Sequence, residues 1–396
     1  MNIFVINSGS SSIKYQLFRW PAEQPVCSGL VERVGSDQAS ITHKVFVVDG
    51  TPSEQRLTLP LSDHEAGLHE VVRLLADGVI QDPSDIDVVG HRVVHGGESF
   101  SRATPITPEV KAEIQRLFGL APLHNPANYL GIEVAERVFP RARQVAVFDT
   151  AFHQTLPEYA FRYALPTALY TEQRIRRYGF HGTSHQYVAA QAAAYLGQPD
   201  AKLITIHLGN GCSMAAVCGG RSLDTSMGFS PLAGLVMGTR SGDVDPSILL
   251  HLAGPLGYSP EQVNTLLNKE SGMLGLAGSN DMRDISQALA AGDEAAQLAY
   301  DIYAYRIRQY IGAYAAVLNG LDAIIFTAGV GENDALVRQL VCKDMDFFGL
   351  GLDETQNQQR HPGLRDLSAP GSRAKILVVP TNEELEIAQQ CAELES

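Results

Sequence analysis

Long apolar runs are missing from this chain. No segment approaches the roughly 20 residues that a bilayer-spanning helix needs, so no membrane association is expected. Cysteine is scarce: Cys27, Cys212, Cys218, Cys342 and Cys391 are odd in number and form no C-x-x-C pair. That excludes a disulfide frame and a zinc ribbon and predicts reduced thiols in a cytoplasm. Positive charge is in deficit. Thirty Lys and Arg face 44 Asp and Glu, for a formal net charge of −14, which excludes a general binder of nucleic acid or anionic membrane, since both need a basic surface. No basic stretch precedes a long apolar run near the N-terminus, so no signal peptide is expected. Neither G-x-x-x-x-G-K-[ST] nor G-x-S-x-G occurs, which leaves a Walker-type NTPase loop and an α/β-hydrolase elbow without support.

What is there suits a soluble globular chain of 396 residues, 45% apolar and 19% charged, long enough for two cores. Its first eighteen residues organise the rest. Ile3 to Ile6 is an apolar run suited to a buried strand, Asn7 to Ser12 a tight polar turn, and Ile13 to Phe18 a returning strand. Gly9 is expected to give the turn a backbone conformation that other residues resist. Exposed amides, the hydroxyls of Ser10 and Ser12, and the Lys14 ammonium suit phosphate oxygens. A similar unit recurs at Lys202–His207, Leu208-Gly-Asn-Gly-Cys-Ser213 and Met214–Val217, which predicts a chain built from two copies of one plan.

Between these units, residues 26 to 60 read as strands with turns at Gly35-Ser36 and Asp49-Gly50, and Ala66 to Ala76 as an amphipathic helix. His64 and His69 stand five apart and cannot share a helix face for a metal. Arg92 sits inside the apolar run Ile86–Val94, where a charge must meet either a buried carboxylate or an anionic ligand. Ala121 to Pro126 reads as a rigid turn into a helix. Asp149 falls just past the strand Gln144–Phe148, where open α/β folds place chemistry. Residues 158 to 177 read as irregular, and His181 lies at the mouth of a helix running through Ala194. Arg240 sits in a Gly-rich loop, either accessible to an anion or paired with Asp243 or Asp245. A long helix, Glu294 to Asn319, is closed by Gly320. Ala323 to Phe326 then feeds Gly329-Val-Gly-Glu-Asn333, with a helix starting near Asp334, a layout suited to anions. After the last strand, Ile376–Val379, Thr381 and Glu384 read as a capping box, leaving Glu383 to face a cleft or a cation.

Nine stretches in order carry a resemblance over nearly the whole chain: Asn7–Lys14, His91–Gly97, Pro122–Pro126, Val147–Gln154, Gly182–His185, His207–Gly211, Met237–Asp243, Gly329–Asn333 and Pro380–Glu384. Together they closely resemble the acetate kinase family, within the superfamily of acetate and sugar kinases, heat-shock chaperones and actin. The resemblance implies an α/β fold of two duplicated actin-like (ribonuclease H-like) domains with a central interdomain cleft. Residues 1–150, completed by the helix 384–396, form the first domain, and 151–383 the second. It implies reversible transfer of the ATP γ-phosphoryl group to acetate with Mg²⁺ (or Mn²⁺ in its place), in a cytoplasmic homodimer. Propionate kinase is the alternative within the family, and an ATP-driven actin- or chaperone-like switch the alternative from another class.

By the same resemblance Asn7 and Glu383 lie at the metal. Lys14, Ser10, Ser12, His207, Leu208, Gly209, Asn210, Gly211, Asp281, Met282, Arg283, Gly329, Val330, Gly331, Glu332 and Asn333 hold ATP. Arg92 takes the substrate carboxylate, and Val94, Leu123, Phe180 and Pro231 surround the methyl group. Asp149, His181 and Arg240 are catalytic, with Asp149 expected to reach the metal through a water. Cys212 and Ala328 depart from the family, in which smaller residues are usual at both positions. A carboxylate acceptor is already anionic at neutral pH, so the residue types agree with a reaction run by positioning and electrostatics, without a general base.

Overall fold

A computed structural model of the chain describes residues 1–47 and 50–394; Asp49 of the expected Asp49-Gly50 turn lies outside the described residues. The chain divides into two compact units, Met1–Phe152 with Asn382–Ser396, and His153–Thr381. Glu383, assigned from the sequence to the second domain, belongs to the first unit.

The first unit is built on eight strands: β1 Asn2–Ser8, β2 Ser12–Arg19, β3 Pro25–Glu32, β4 Ser36–Val45, β5 Ser53–Leu61, β6 Val88–Val93, β7 Thr104–Pro105 and β8 Arg143–Phe148. Their order is β5-β4-β3-β2-β1-β6-β8-β7. Strands β1 to β5 form an antiparallel meander, while β6 and β8 run parallel to β1. Parallel neighbours need a crossover, supplied by helices His64–Ala76 before β6 and Asn125–Val138 before β8. The apolar run of β1 is buried on both faces. Phe4 and Ile6 join a core with Val134 and Ala135 of the Asn125–Val138 helix. Gly90 of β6, beside Val5, lies against Ile387 and Cys391 of the closing helix, Glu383–Glu393, so closely that a Cβ there would collide with both.

The second unit has six strands: β9 Lys202–Leu208, β10 Cys212–Cys218, β11 Arg221–Thr225, β12 Ala323–Thr327, β13 Arg365–Asp366 and β14 Lys375–Val378. Their order is β11-β10-β9-β12-β14-β13. With β4 and β5 set aside, the first sheet reads β3-β2-β1-β6-β8-β7, and the two orders match strand for strand. The directions match too: two antiparallel pairs, two parallel pairs and an antiparallel edge. Duplication is therefore written in the topology, although the two hairpin turns share little sequence.

Several local expectations shift. Residues 158 to 177 hold two short helices, Glu158–Phe161 and Thr167–Thr171. The long helix Glu294–Leu318 ends on Asn319, which takes the left-handed conformation at φ 50° ahead of Gly320. Among the described residues no helix is long and apolar enough to cross a membrane.

Candidate active site

In the first unit the site starts at the β1–β2 turn. The Gly9 N–H donates to the Ser12 carbonyl at 2.8 Å and closes the turn. Gly9 does not take a positive φ, so the turn does not draw on the backbone freedom expected of it. Its lack of a side chain matters for space, since a Cβ would sit 2.9 Å from Ser12 Oγ. Ser10 is exposed, and Asn7 and Ser12 are half-buried.

Five charges gather beside this turn. Arg92, on β6, donates from Nε and Nη2 to the two oxygens of Asp149 at 3.0 and 2.7 Å. Asp149 directly follows β8, and its N–H donates to the Val93 carbonyl at the end of β6. Strand pairing of β6 with β8 thus sets two side chains from distant sequence face to face. Asp149, expected at the metal through a water, spends both oxygens on Arg92 and is almost wholly buried. Arg92 keeps Nη1, which lies 4.0 Å from Glu383. Lys14 Nζ is 2.5 Å from Glu384. That pair overturns the capping box. Asn382 caps the last helix by accepting from the Leu385 N–H, while Glu384 turns to Lys14.

Three carboxylates, Asp149, Glu383 and Glu384, thus share two cations, Arg92 and Lys14. The excess is one negative charge. Burial pushes the Glu383 carboxyl above its ordinary range, against the pull of Arg92, with Asp149 and Glu384 adding to the rise. Among the described residues no three acids, histidines or thiols form a metal cage. Asn7 and Glu383 fit the way Mg²⁺ is commonly held, by one or two protein ligands plus water and substrate phosphates. Val94 is half-buried and Leu123 is 65% exposed.

In the second unit the β9–β10 turn is flanked by His181 and Arg240. A Cβ on Gly211 would meet His181 Cε1 at 3.4 Å and Arg240 Nη1 at 3.5 Å. His181 precedes the helix Gly182–Leu196 in a left-handed conformation, φ 56°, and its side chain does not cap the helix. Its Nδ1 instead meets Ser213 Oγ at 2.8 Å, and its ring stacks on His207 with centroids 4.2 Å apart. Ser213 also meets His185 Nε2, and His207 meets Ser184 Oγ. Burial holds His185 well below the ordinary imidazole range and pushes His153 down to about 4, so both are neutral supports at pH 7.

Arg240 takes neither carboxylate offered by its loop. Asp243 accepts from the Gly234 N–H and from Tyr310 Oη, and Asp245 caps the helix Pro246–Ala253. Arg240 Nη1 donates to the Pro231 carbonyl at 3.0 Å and, weakly, to Met237 Sδ at 3.7 Å. Among the described residues no carboxylate pairs with it, and burial lowers its pKa. A desolvated guanidinium without a counter-ion is costly, which is how a protein prepares for an anion. Phe180 is buried, and Pro231 is half-buried.

A cavity of about 990 Å³ opens at the carboxyl ends of β9 and β12, lined by Gly209, Asn210, Asp281, Met282, Arg283, Gly329, Val330 and Asn333. His207, Leu208, Gly211, Gly331 and Glu332, assigned to ATP from the sequence, do not line it. Glu332 Oε1 accepts from the Thr381 N–H. The Gly329–Asn333 segment is a helical turn, Ala328–Asn333, and a second helix, Ala335–Cys342, follows. Three arginines secure its last carbonyls. Arg338, fully buried, donates to Gly331, Arg365 to Glu332 and Arg360 to Asn333. Sequence reading missed all three, because a guanidinium on a distant carbonyl leaves no local pattern. Tyr303 lines the cavity too, with its hydroxyl on Cys212 Sγ at 3.2 Å. Burial pushes the Cys212 thiol up to about 11, so it is packing and not a nucleophile.

A cavity at the carboxyl ends of parallel strands, in one of two copies of one sheet plan, and a guanidinium without a carboxylate partner among the described residues define an α/β protein suited to small anionic ligands. The acetokinase family model matches residues 2–389. The acetate kinase of Flavobacterium johnsoniae is 55% identical over 397 residues, covering 100% of this chain and 99% of its own. The crystal structure of Porphyromonas gingivalis acetate kinase superposes with a TM-score of 0.93 at 43% identity and 100% coverage of both chains. That of a propionate kinase from Francisella tularensis gives 0.92 at 41%, with 98% of each chain covered. The chain belongs to the acetokinase family.

Proposed function

We propose that this protein transfers the γ-phosphoryl group of ATP to acetate, reversibly, giving acetyl phosphate and ADP. One observation carries the reading. Arg240 is a desolvated cation with no carboxylate partner among the described residues, beside His181 and the β9–β10 turn. A phosphoryl group in flight spreads negative charge over its equatorial oxygens, and preorganised donors without a counter-ion stabilise that charge. Acetate arrives ionised, so no residue needs to remove a proton. Arg92 has Nε and Nη2 on Asp149, which leaves Nη1 for the substrate carboxylate. Asp149 holds that guanidinium in place. Val94, Leu123, Phe180 and Pro231 are the side chains assigned to the methyl group.

The cavity of about 990 Å³ is large enough for a nucleoside triphosphate, with Gly209, Asn210, Gly329 and Val330 along its wall. Asn7 and Glu383 would hold Mg²⁺, whose charge would offset that of the phosphates. The unshared negative charge among Asp149, Glu383 and Glu384 supports a cation at that place. Five cysteines without a disulfide agree with a reducing, cytoplasmic setting. A second copy of the chain is the proposed partner. The helix Pro246–Ala253 is apolar yet has no buried residue, and Leu250 is 75% exposed.

The test is acetyl hydroxamate formation from acetate, ATP, Mg²⁺ and hydroxylamine. Product that depends on acetate, ATP and Mg²⁺ supports the reading, and ATP hydrolysis without acyl product refutes it. Propionate is expected as the poorer acceptor, because one methylene is worth about 1–3 kcal/mol in such a pocket. Equal kcat/KM for the two acids would overturn the assignment to acetate.

A further inference from the structure

Two side chains that the reaction scheme does not use grip consecutive carbonyls of the β1–β2 turn. Asn128, on the helix Asn125–Val138, donates from Nδ2 to the Ser8 carbonyl at 2.8 Å. His64, the first residue of the helix His64–Ala76, lies with Nε2 2.8 Å from the Gly9 carbonyl. A carbonyl only accepts, so Nε2 carries the proton. Both side chains are buried, Asn128 at 4% exposure and His64 at 7%. The helix of Asn128 comes so near the turn that a Cβ on Gly131 would collide with Ser8 Oγ.

Peptide geometry converts these grips into a direction. In a trans peptide the C=O and the following N–H point opposite ways. Holding the Ser8 carbonyl toward Asn128 aims the Gly9 N–H the other way, where it closes the turn on Ser12. Holding the Gly9 carbonyl toward His64 aims the Ser10 N–H outward. Ser10 is exposed, and no group among the described residues accepts from its amide. Asn128 has a second role. Its Oδ1 accepts from the Val94 N–H at 3.1 Å, two residues past Arg92. One amide side chain thus joins the turn to the strand that carries the substrate arginine.

We infer that His64 and Asn128 are positioning residues: His64 aims the Ser10 amide out of the turn as a donor for a phosphate oxygen, and Asn128 locks that turn to the acid-binding strand. The inference rests on the kinase reading for its ligands and on geometry for its residues. His64→Ala should raise KM for MgATP about tenfold, the scale of one lost hydrogen bond, with KM for acetate unchanged. His64→Gln, which can still donate, should recover most of that loss. Asn128→Leu should raise KM for both substrates, because both of its contacts go. A variant that merely loosened the fold would lower Tm without this split.

Two readouts do not require turnover. A crystal structure of His64→Ala without nucleotide should show the Gly9–Ser10 peptide rotated. Calorimetry should show MgATP binding weakened about tenfold. An unrotated peptide with unchanged Kd and KM overturns the inference while leaving the kinase reading intact. A wild-type enzyme that forms no acyl product refutes the kinase reading, and the peptide orientation and Kd still decide the roles of His64 and Asn128. Should His64→Ala fail to fold, Asn128→Asp decides: it keeps an acceptor for Val94, loses the donor to Ser8, and should weaken MgATP alone. Equal losses for acetate and MgATP in that variant would refute the division of roles.

Discussion

The two units share a sheet plan but carry opposite electrostatic debts. In the first, buried acids are held above their ordinary range: Glu383, and Glu386, whose carboxyl burial pushes up to about 7. In the second, guanidiniums are held below theirs by desolvation: Arg240, and Arg338, which burial pulls down to about 10. The second unit also has raised acids, but Asp224 faces Arg177 and Glu332 faces Arg365. One duplicated scaffold has thus diverged into a half with desolvated carboxyls and a half with desolvated guanidiniums, the pattern expected if the first takes a cation and the second an anion. That is the division of labour a metal-assisted transfer between two anions needs.

The largest expected effect breaks the anion-seeking half. Arg240→Leu should lower kcat by roughly 10²–10³, the scale of one lost preorganised donor. It should leave Tm equal or higher, because it removes a desolvated charge that no carboxylate among the described residues offsets. Near-normal turnover, or a marked loss of Tm, would show that Arg240 serves the fold and not the transition state.

Arg92 should behave differently, because Asp149 already neutralises it. Arg92→Ala should cost at least about 10² in rate. It should also destabilise the protein by about 3–5 kcal/mol, since it leaves a buried carboxylate unpaired. Adding Asp149→Asn should restore part of the stability and none of the rate. Urea melts of the two single variants and the double decide it. Arg92→Ala as stable as Arg240→Leu would erase the distinction drawn between the two arginines.

A smaller effect tests the cation-seeking half by pH. Glu386 has a folded pKa of about 7 against an ordinary 4.5. The folded state therefore holds the proton more tightly than the unfolded state. Stability from this group is full below about pH 4.5 and is lost as pH rises to about 7. Glu386→Gln should therefore stabilise the protein by about 1–3 kcal/mol at pH 8 and hardly at all at pH 4. No such titration is expected from Arg338, which stays charged throughout this range. A pH-independent gain in Glu386→Gln would mean that the carboxyl is not desolvated.

Sequence pattern showed the elements well and their partnerships poorly. Apolar runs bounded by Gly and Asn marked β1, β2, β9, β10 and β12, because strand burial leaves a local signature. Asp149 was placed correctly past a strand end. Its tie to Arg92 was not, because that depends on β6 and β8 lying side by side. The capping box at Thr381 and Glu384 had the right spacing, yet Lys14, some 370 positions earlier, outcompeted the helix for Glu384. His64 was judged only as half of a metal motif. Its partner is a main-chain carbonyl 55 residues away, and main-chain partners cannot be read from side-chain spacing.

The smallest expected effect compares how the chain leaves β6 and β12. In the first unit the left-handed residue is Gly97, four positions past β6, with φ 59°. In the second it is Ala328, immediately past β12, with φ 63°. An L-residue in that conformation costs about 1–2 kcal/mol, whereas glycine takes it without steric penalty but loses more chain entropy on folding. Ala328→Gly should therefore gain a net ~0.5–1 kcal/mol in urea melts, with kcat unchanged, since the backbone of the Ala328–Asn333 turn keeps its shape. Gly97→Ala should go the other way and further, because its Cβ would also sit 2.8 Å from Leu117 Cδ2. If Ala328→Gly instead loses stability, the turn beside the cavity of about 990 Å³ is held by its methyl group and not merely tolerating it.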